Sequence, residues 1–385
     1  MKKKFDWNKF FNILLLLVSL GMLVYFCMVD NNLVTLLGSL PTLNFFWLLL
    51  AILAVPSGWL IDATILRILT ASAYSEDYKL KNAFKVTMVG QYFNAITPFA
   101  VAGQPMQLLA MSRQGISSGV GLSILVRKFL VYQTTLTVYS LLVIVFKLNF
   151  FREHVPAFVA LALVGFLCQA GVVILLLFFS TNRGLTTKII NGIFWLLAKV
   201  HIVKNPEESS EKVKTQLSFY LDNNKSMNHN ARMNLKLYSL TFLQLTTMFI
   251  VPFLLFKAFH HQGFPVIDMI SGQAFVTMIS SYTPLPGAAG TTEGSFLLLF
   301  NMFFSNDVIK QAMLLWRFIT YYSGIIVGSF FAGLEKKKDK MQPSLAAADA
   351  VPSTGENAPA PPRQADEADG ASAEMLQPDT GEEDS

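Results

Sequence analysis

Apolar stretches of about twenty residues recur along the chain with short polar connections between them, and two of these stretches are interrupted by proline and glycine. Six read as uninterrupted spans: Phe10 to Met28, Phe45 to Ile68, Ser118 to Phe146, Pro156 to Phe179, Leu237 to Phe256, and Val308 to Ala332. Each is long enough to cross a hydrocarbon core of about 30 Å as a helix. The interrupted stretches are VGQYFNAITPFAVAGQPMQLLAM, from Val89 to Met111, and the run from Ile267 to Phe304 that contains SYTPLPGAAGTTEGSF. The pattern predicts an all-α polytopic membrane protein with about six full spans and two Pro/Gly-broken re-entrant segments, about eight hydrophobic segments in all.

Basic residues orient these elements. Lys79, Lys81 and Lys85 follow the second span, whereas VDNNLVTLLGSLPTLN, after the first, has no Lys or Arg. By the positive-inside rule the N-terminus is cytoplasmic. The connection from Thr181 to Lys236 carries nine Lys or Arg and EKKKDK follows the last span, so both are placed inside, as is the C-terminus. Counting spans then requires the first broken stretch to enter and leave on the cytoplasmic side and the second on the outer side. The opening sequence has the charge and apolar run of a signal peptide but no A-x-A-like cleavage site, and reads as a retained span.

The two halves echo one another. GQYF at Gly90 and Thr97-Pro98 in the first break match GQAF at Gly272 and Thr283-Pro284 in the second, each followed by one long helix. Broken helices in matching positions of an inverted repeat point to a transport pathway near the bilayer midplane.

Composition sharpens this picture in three ways. The 385 residues are 53% hydrophobic and 14% charged, against about a quarter charged in soluble domains. The net charge of +5 combines an acidic tail, with ten acidic residues and one Arg from Asp349 onward, and a preceding part with 29 basic and 15 acidic residues. The basic residues cluster between spans, which argues for topology and against nucleic-acid binding. Cys27 and Cys168 both fall within apolar spans, and neither a disulfide framework nor a metal site is expected. His260 and His261 have no further ligand candidates beside them. The domain reading is a transmembrane domain over residues 1–335 and a disordered acidic cytoplasmic tail over 336–385. In the 181–236 connection, Ile189, Ile190, Ile193, Phe194, Leu197 and Val200 form a helix-period stripe, suited either to the headgroup layer or to the inner face of the bundle.

A broken helix in lipid exposes backbone groups that only protein or a water-filled cavity can satisfy. Pro98, Gly103 and Pro105 define the first break, and Pro284, Pro286, Gly287 and Gly290 the second. Asn94, Thr97, Gln104 and Gln107 either stitch the interrupted backbone together or hold the polar head of a lipid. Ionisable residues within spans are costly and face polar interiors. Arg127 and Lys128 lie about ten residues into the helix after the first break, and Arg317 about ten residues into the helix after the second. Both points approach the midplane, where two cations would hand a phosphate across the membrane. Alternatively these cations snorkel or pair with a buried carboxylate such as Glu293 or Asp62. Glu293 would sit in the second break, paired with an Arg, taking up a proton, or attracting a cationic headgroup. G-x-x-x-x-G-K, H-E-x-x-H and G-x-S-x-G motifs are absent, and no cofactor is expected.

The pieces GQYFNAITPFAVAGQPMQ, ILVRKFLVYQ, SSYTPLPGAAGTTEGSF and LLWRFITYY carry a resemblance. Over about residues 8 to 335 the chain resembles the flippase-like transmembrane region of lysylphosphatidylglycerol synthase, the multiple peptide resistance factor of bacteria. The resemblance implies translocation of lysyl-phosphatidylglycerol or a related lipid in a bacterial plasma membrane, and resistance to cationic antimicrobial peptides. It implies membrane lipids as partners, phosphatidylglycerol or an aminoacyl derivative. In the best-known members a cytoplasmic domain transfers lysine from lysyl-tRNA to phosphatidylglycerol, and nothing in this chain matches it. A separate synthase or partner enzyme would then supply that activity. The leading expectation is a lipid flippase with Arg127, Lys128 and Arg317 on the phosphate and Asn94, Thr97, Gln104 and Glu293 on the headgroup. The rivals are a phosphatidylglycerol lysyltransferase and a scaffold for a partner enzyme.

Overall fold

In the computed structural model, residues 37–155, 158–181, 231–281 and 283–341 are described. The expected first span, the apolar stripe near residue 190 and the acidic tail beyond residue 341 fall outside them. Every regular element among the described residues is helical: α1 (Phe45–Ala73), α2 (Leu80–Ile96), α3 (Gly103–Ser112), α4 (Ser118–His154), α5 (Phe158–Thr181), α6 (Ala231–Phe249), α7 (Val251–Ala258), α8 (Val266–Ser280), α9 (Thr291–Phe300), α10 (Ile309–Arg317) and α11 (Ser323–Met341). Short 3-10 turns at Leu40–Thr42, Pro98–Ala100 and Pro286–Ala288 and a π segment at Phe318–Tyr322 complete the set.

Among the described residues, four continuous helical stretches are long and apolar enough to cross a membrane: Phe45–Ala73, Ser118–Glu153, Ala231–Ala258 and Ile309–Gly333. Their length follows from composition, since Leu, Ile, Val and Phe run on with few polar residues to compete for the backbone. Start signals are local. Asn44 caps α1, its side-chain oxygen accepting from Phe46 N at 3.1 Å. The Ala231–Ala258 stretch is stepped at Ile250, where Pro252 falls in the first turn of α7. Large apolar side chains stand exposed along the outer faces, Phe45, Phe46, Phe146, Ile174 and Phe330 among them. In water such surface would be an anomaly; in lipid it is the expected coat. The chain is an all-α, multi-pass membrane protein.

The interrupted stretches form two helical hairpins. α2 packs on α3 and α8 packs on α9. At 1.5 Å per residue these arms span about 26, 15, 22 and 15 Å, each short of the roughly 30 Å core. In sequence the two halves alternate alike, with a long helix, a broken hairpin and another long helix. The quoted echo also has a structural counterpart. Gly90 lies against Gln107 of its own returning helix, and Gly272 lies against Phe300 of its own.

The Thr-Pro echo is offset from the structural one. The conformational twins are Pro98-Phe99-Ala100 and Pro286-Gly287-Ala288, not Thr97-Pro98 and Thr283-Pro284. Each twin opens with proline, and the next two residues are left-handed, with φ of 53° and 54° in the first and 59° and 51° in the second.

Two apolar cores flank the hairpins. One gathers Phe256, Phe275, Phe296, Phe300 and Trp316 around α8–α10, with Phe296 stacked on Phe300 at 4.4 Å and on Trp316 at 4.8 Å between centroids. The other packs Ile65, Leu66, Leu69, Met111 and Ile124 around the first hairpin. Together they hold the two turns in place.

Candidate functional site

The turns of the two hairpins meet. The 3-10 turn at Pro98–Ala100 packs on that at Pro286–Ala288, and the Tyr321 hydroxyl donates to Ala95 O at 2.8 Å. Ala95 lies in the last turn of α2, whose terminal carbonyls have no helical partner. One side chain from the second half thus satisfies the open end of the first.

Each break is stitched by different chemistry. In the first, Thr97 works twice: its Oγ1 donates to Phe93 O at 2.6 Å and accepts from Ala102 N at 3.3 Å. Asn94 packs directly over Gly103, where any Cβ would fall 1.9 Å from its Oδ1. In the second break Gly290 N donates to Glu293 Oε2 at 2.7 Å, so the carboxylate caps its own helix from its third position. Arg317 then reaches the other oxygen. Its Nε donates to Glu293 Oε1 at 2.7 Å, its Nη2 lies 2.6 Å from the same oxygen, and Nη2 also donates to Gly287 O at 3.1 Å. Both charged side chains are nearly buried, at 7% and 10% exposure. The guanidinium stands over the Trp316 and Tyr321 rings at 5.5 and 5.1 Å, a cation–π pair.

Gly287 is required by that arrangement. Its φ is +59°, and a Cβ would lie 2.3 Å from the Tyr321 ring. The π segment that begins at Phe318 widens the helix just after Arg317. Such single-turn insertions recur at functional sites. Trp316, Arg317, Thr320 and Tyr321 all line one cavity of about 430 Å³. Asn94, Phe99 and Ala100 of the first break and Gly287, Ala288 and Thr292 of the second share its wall, with Tyr132 of α4 and Gln273 and Ser280 of α8.

Of the residues singled out from sequence, the cavity brings together Asn94, Arg317 and Gly287. Glu293 stands behind Arg317 rather than on the wall, and Thr97 is occupied in the first turn. Gln104 and Pro105 are exposed at the start of α3. Arg127 is not a wall residue; it is buried, and its Nη2 donates to Asn234 of α6 at 2.5 Å. Lys128 pairs with Asp62 of α1 at 2.7 Å. Pro98, Gly103, Pro286 and Gly290 occupy the turns, and Pro284 lies just before the second. Trp316, Tyr321, Gln273 and Ser280 went unremarked as single residues, although Gln273 sits in the GQAF echo and Trp316 and Tyr321 in LLWRFITYY. No group of three His, Cys, Asp or Glu with metal-site geometry exists among the described residues.

A multi-pass helical membrane protein with two broken hairpins closing on a polar cavity is the class this fold and site define. The chain belongs to the family described as lysylphosphatidylglycerol synthase TM region, whose model matches residues 12–328. It is therefore a membrane protein of a family connected with lipid handling. It is also similar to a UPF0104 membrane protein of Archaeoglobus fulgidus, at 23% identity over 303 residues, covering 77% of this chain and 89% of that protein.

Proposed function

We propose that the protein is a lipid flippase, moving an anionic or aminoacylated phospholipid of the lysyl-phosphatidylglycerol type between leaflets of a cell membrane. The observation that carries this reading is the cavity where the two hairpin turns meet, with a buried guanidinium on its wall. A headgroup dragged through hydrocarbon loses its hydration, and only a polar, protein-lined path replaces it. A volume of about 430 Å³ falls within the range of roughly 300–1,000 Å³ typical of small-molecule sites.

Arg317 suits the phosphate. Its Nε and Nη2 are held by Glu293 and Gly287, and its Nη1 edge lies outside these three contacts. A phosphate meeting that edge gains charge-assisted hydrogen bonds while Glu293 keeps the guanidinium from binding so tightly that release stalls. The aromatic faces of Trp316 and Tyr321 fix its plane. Acyl chains stay in the surrounding lipid against the exposed apolar faces.

Reconstitution tests this directly. Purified protein in liposomes carrying labelled lysyl-phosphatidylglycerol, phosphatidylglycerol or other anionic lipids is expected to speed leaflet exchange of at least one of them. Equal exchange with and without protein across the whole set would sink the proposal.

A further inference from the structure

The two turns share a backbone shape, yet they are fastened very differently. No residue from 91 to 102 is buried as a whole, and none is charged, so no ion pair can hold the tip of the first hairpin. Phe99 and Val101 at its end are 57% and 64% exposed. The first hairpin is anchored further back, through Val86, Met88 and Val89 of α2 and Ala110 and Met111 of α3, all buried. In the second hairpin eleven of the fifteen residues of α8 are buried, as are Pro286, Ala289, Thr292 and Glu293 in and after the turn. Ion pairs hold it at both ends. Asp268, in the first turn of α8, pairs with Lys147 of α4 at 2.5 Å, and Glu293 with Arg317 of α10 at 2.6 Å.

The first tip can also move without unmaking its own structure. Ala100 N donates to Thr97 O at 3.2 Å and Val101 N to Pro98 O at 3.3 Å, and the two Thr97 hydroxyl bonds stay within the same hairpin. From the second half the tip receives the neutral Tyr321 bond to Ala95 O and the packing of turn on turn. Against these stands strain. Phe99 and Ala100 are both left-handed, at φ 53° and 54°, a conformation costly for L-residues and rare for bulky ones. In the second turn Gly287 takes the first of these positions freely and leaves only Ala288 strained. Asn94 Oδ1, inside the first tip, is buried without a donor among the described residues, a further cost. Strained backbone persists where its surroundings hold it, and it collects at switches.

We infer that the tip of the first hairpin, residues 91–102, is a gate over the cavity and the second hairpin its fixed post. Phe99 and Ala100 line the cavity and are themselves exposed, which puts them at its rim. Opening parts the two turns, releases the left-handed pair and gives up the Tyr321 bond. Closing sets Phe99 back against the cavity. The gate governs access for any occupant, so it stands apart from the question of whether a lipid is carried.

The full chain, carrying Cys27→Ala and Cys168→Ala, is spin-labelled in lipid nanodiscs at pairs of exposed positions, and double electron–electron resonance reads the distance within each pair. Val101→Cys with Phe330→Cys reports the first tip, and Ser281→Cys with Phe330→Cys reports the second hairpin from the same reference point. The first pair is expected to show two distances and the second pair one. Tyr321→Phe should raise the open-to-closed ratio of the first pair about fivefold, the loss of one neutral hydrogen bond. In that Tyr321→Phe background Ala100→Gly should lower the ratio about fivefold, because glycine relieves the strain of the closed turn. Ala288→Gly, the matched change in the fixed turn, should leave the ratio unchanged.

A merely flexible loop gives the opposite sign: Ala100→Gly would then raise the ratio, and the gate would be overturned. A first pair that keeps one distance in both the wild type and Tyr321→Phe would overturn it too. So would a second pair that shifts with the first, or Ala288→Gly acting as strongly as Ala100→Gly. Two distances at the first tip without exchange of any lipid would keep the gate and remove the translocation reading, and lipid exchange with a rigid tip would do the reverse.

Discussion

Breaking the Glu293–Arg317 pair should cost more than removing it. The two side chains are 10% and 7% exposed, Nε and Nη2 converge on one carboxylate oxygen, and the second oxygen holds the Gly290 N–H. Arg317→Met leaves that carboxylate buried with only the Gly290 bond, and Glu293→Gln leaves the guanidinium buried without its counter-charge. Removing one partner of a buried pair costs about 3–5 kcal/mol, whereas replacing both is often close to neutral. At about 2 °C per kcal/mol for a chain of this size, each single variant should melt about 6 °C or more below the wild type in detergent. The double variant should recover most of that loss, with a coupling of at least about 2 kcal/mol. Thermal unfolding followed by intrinsic fluorescence in one detergent measures all four proteins. Single variants as stable as wild type, or a double variant whose loss equals the sum of the singles, would refute the view that these charges are held as a buried pair.

Three further outcomes follow from the same geometry. Gly287→Ala, at φ +59° and with its Cβ 2.3 Å from the Tyr321 ring, should cost about 2 kcal/mol or more. Gly294→Ala, which meets nothing within 4 Å on helix α9, should be neutral or gain up to about 1 kcal/mol; a pair of melting curves compares them. Tyr321→Phe removes the hydroxyl that ties the π segment to the first hairpin, and should cost about 1 kcal/mol while loosening that end of α2, detectable as faster amide exchange near Ala95. His261, in the connection between α7 and α8, packs on Phe256 and Phe304, and burial holds its imidazole below the ordinary value of 6.5. The unfolded chain then binds the proton first, so stability should fall as pH drops below about 6.5 towards the lower folded value. His261→Gln should flatten that part of the pH–stability curve.

Fold class was legible because lipid leaves few options. Long apolar runs have to be helices. The two broken hairpins were legible as interruptions, since Pro98, Gly103, Pro286 and Gly290 punctuate otherwise apolar runs. What the echo could not give was the register. Thr97-Pro98 and Thr283-Pro284 match as text, yet the left-handed pair falls after Pro98 in one turn and after Pro286 in the other. Side-chain commitments were less legible still. Spacing placed Arg127 and Arg317 at similar depths, but only packing shows that Arg127 turns to Asn234 while Arg317 reaches the cavity. Glu293 was a candidate on three accounts, and the i+3 relation to Gly290 made it a cap and the partner of Arg317. Gln273 and Trp316 look like ordinary apolar-helix residues until the wall they share is seen.

The central claim, that the meeting point of the two breaks carries a lipid headgroup across, is tested most directly by leaflet exchange with a variant that folds but lacks the cation. Periodate-detected exchange of phosphatidylglycerol in proteoliposomes is compared for the wild type and the double variant Glu293→Gln/Arg317→Met, at matched protein density and after both pass the same melting test. The account predicts rapid exchange with the wild type and a fall of at least about tenfold with the double variant, the loss of a charge-assisted contact to the phosphate. Exchange by the folded double variant at the wild-type rate would contradict it.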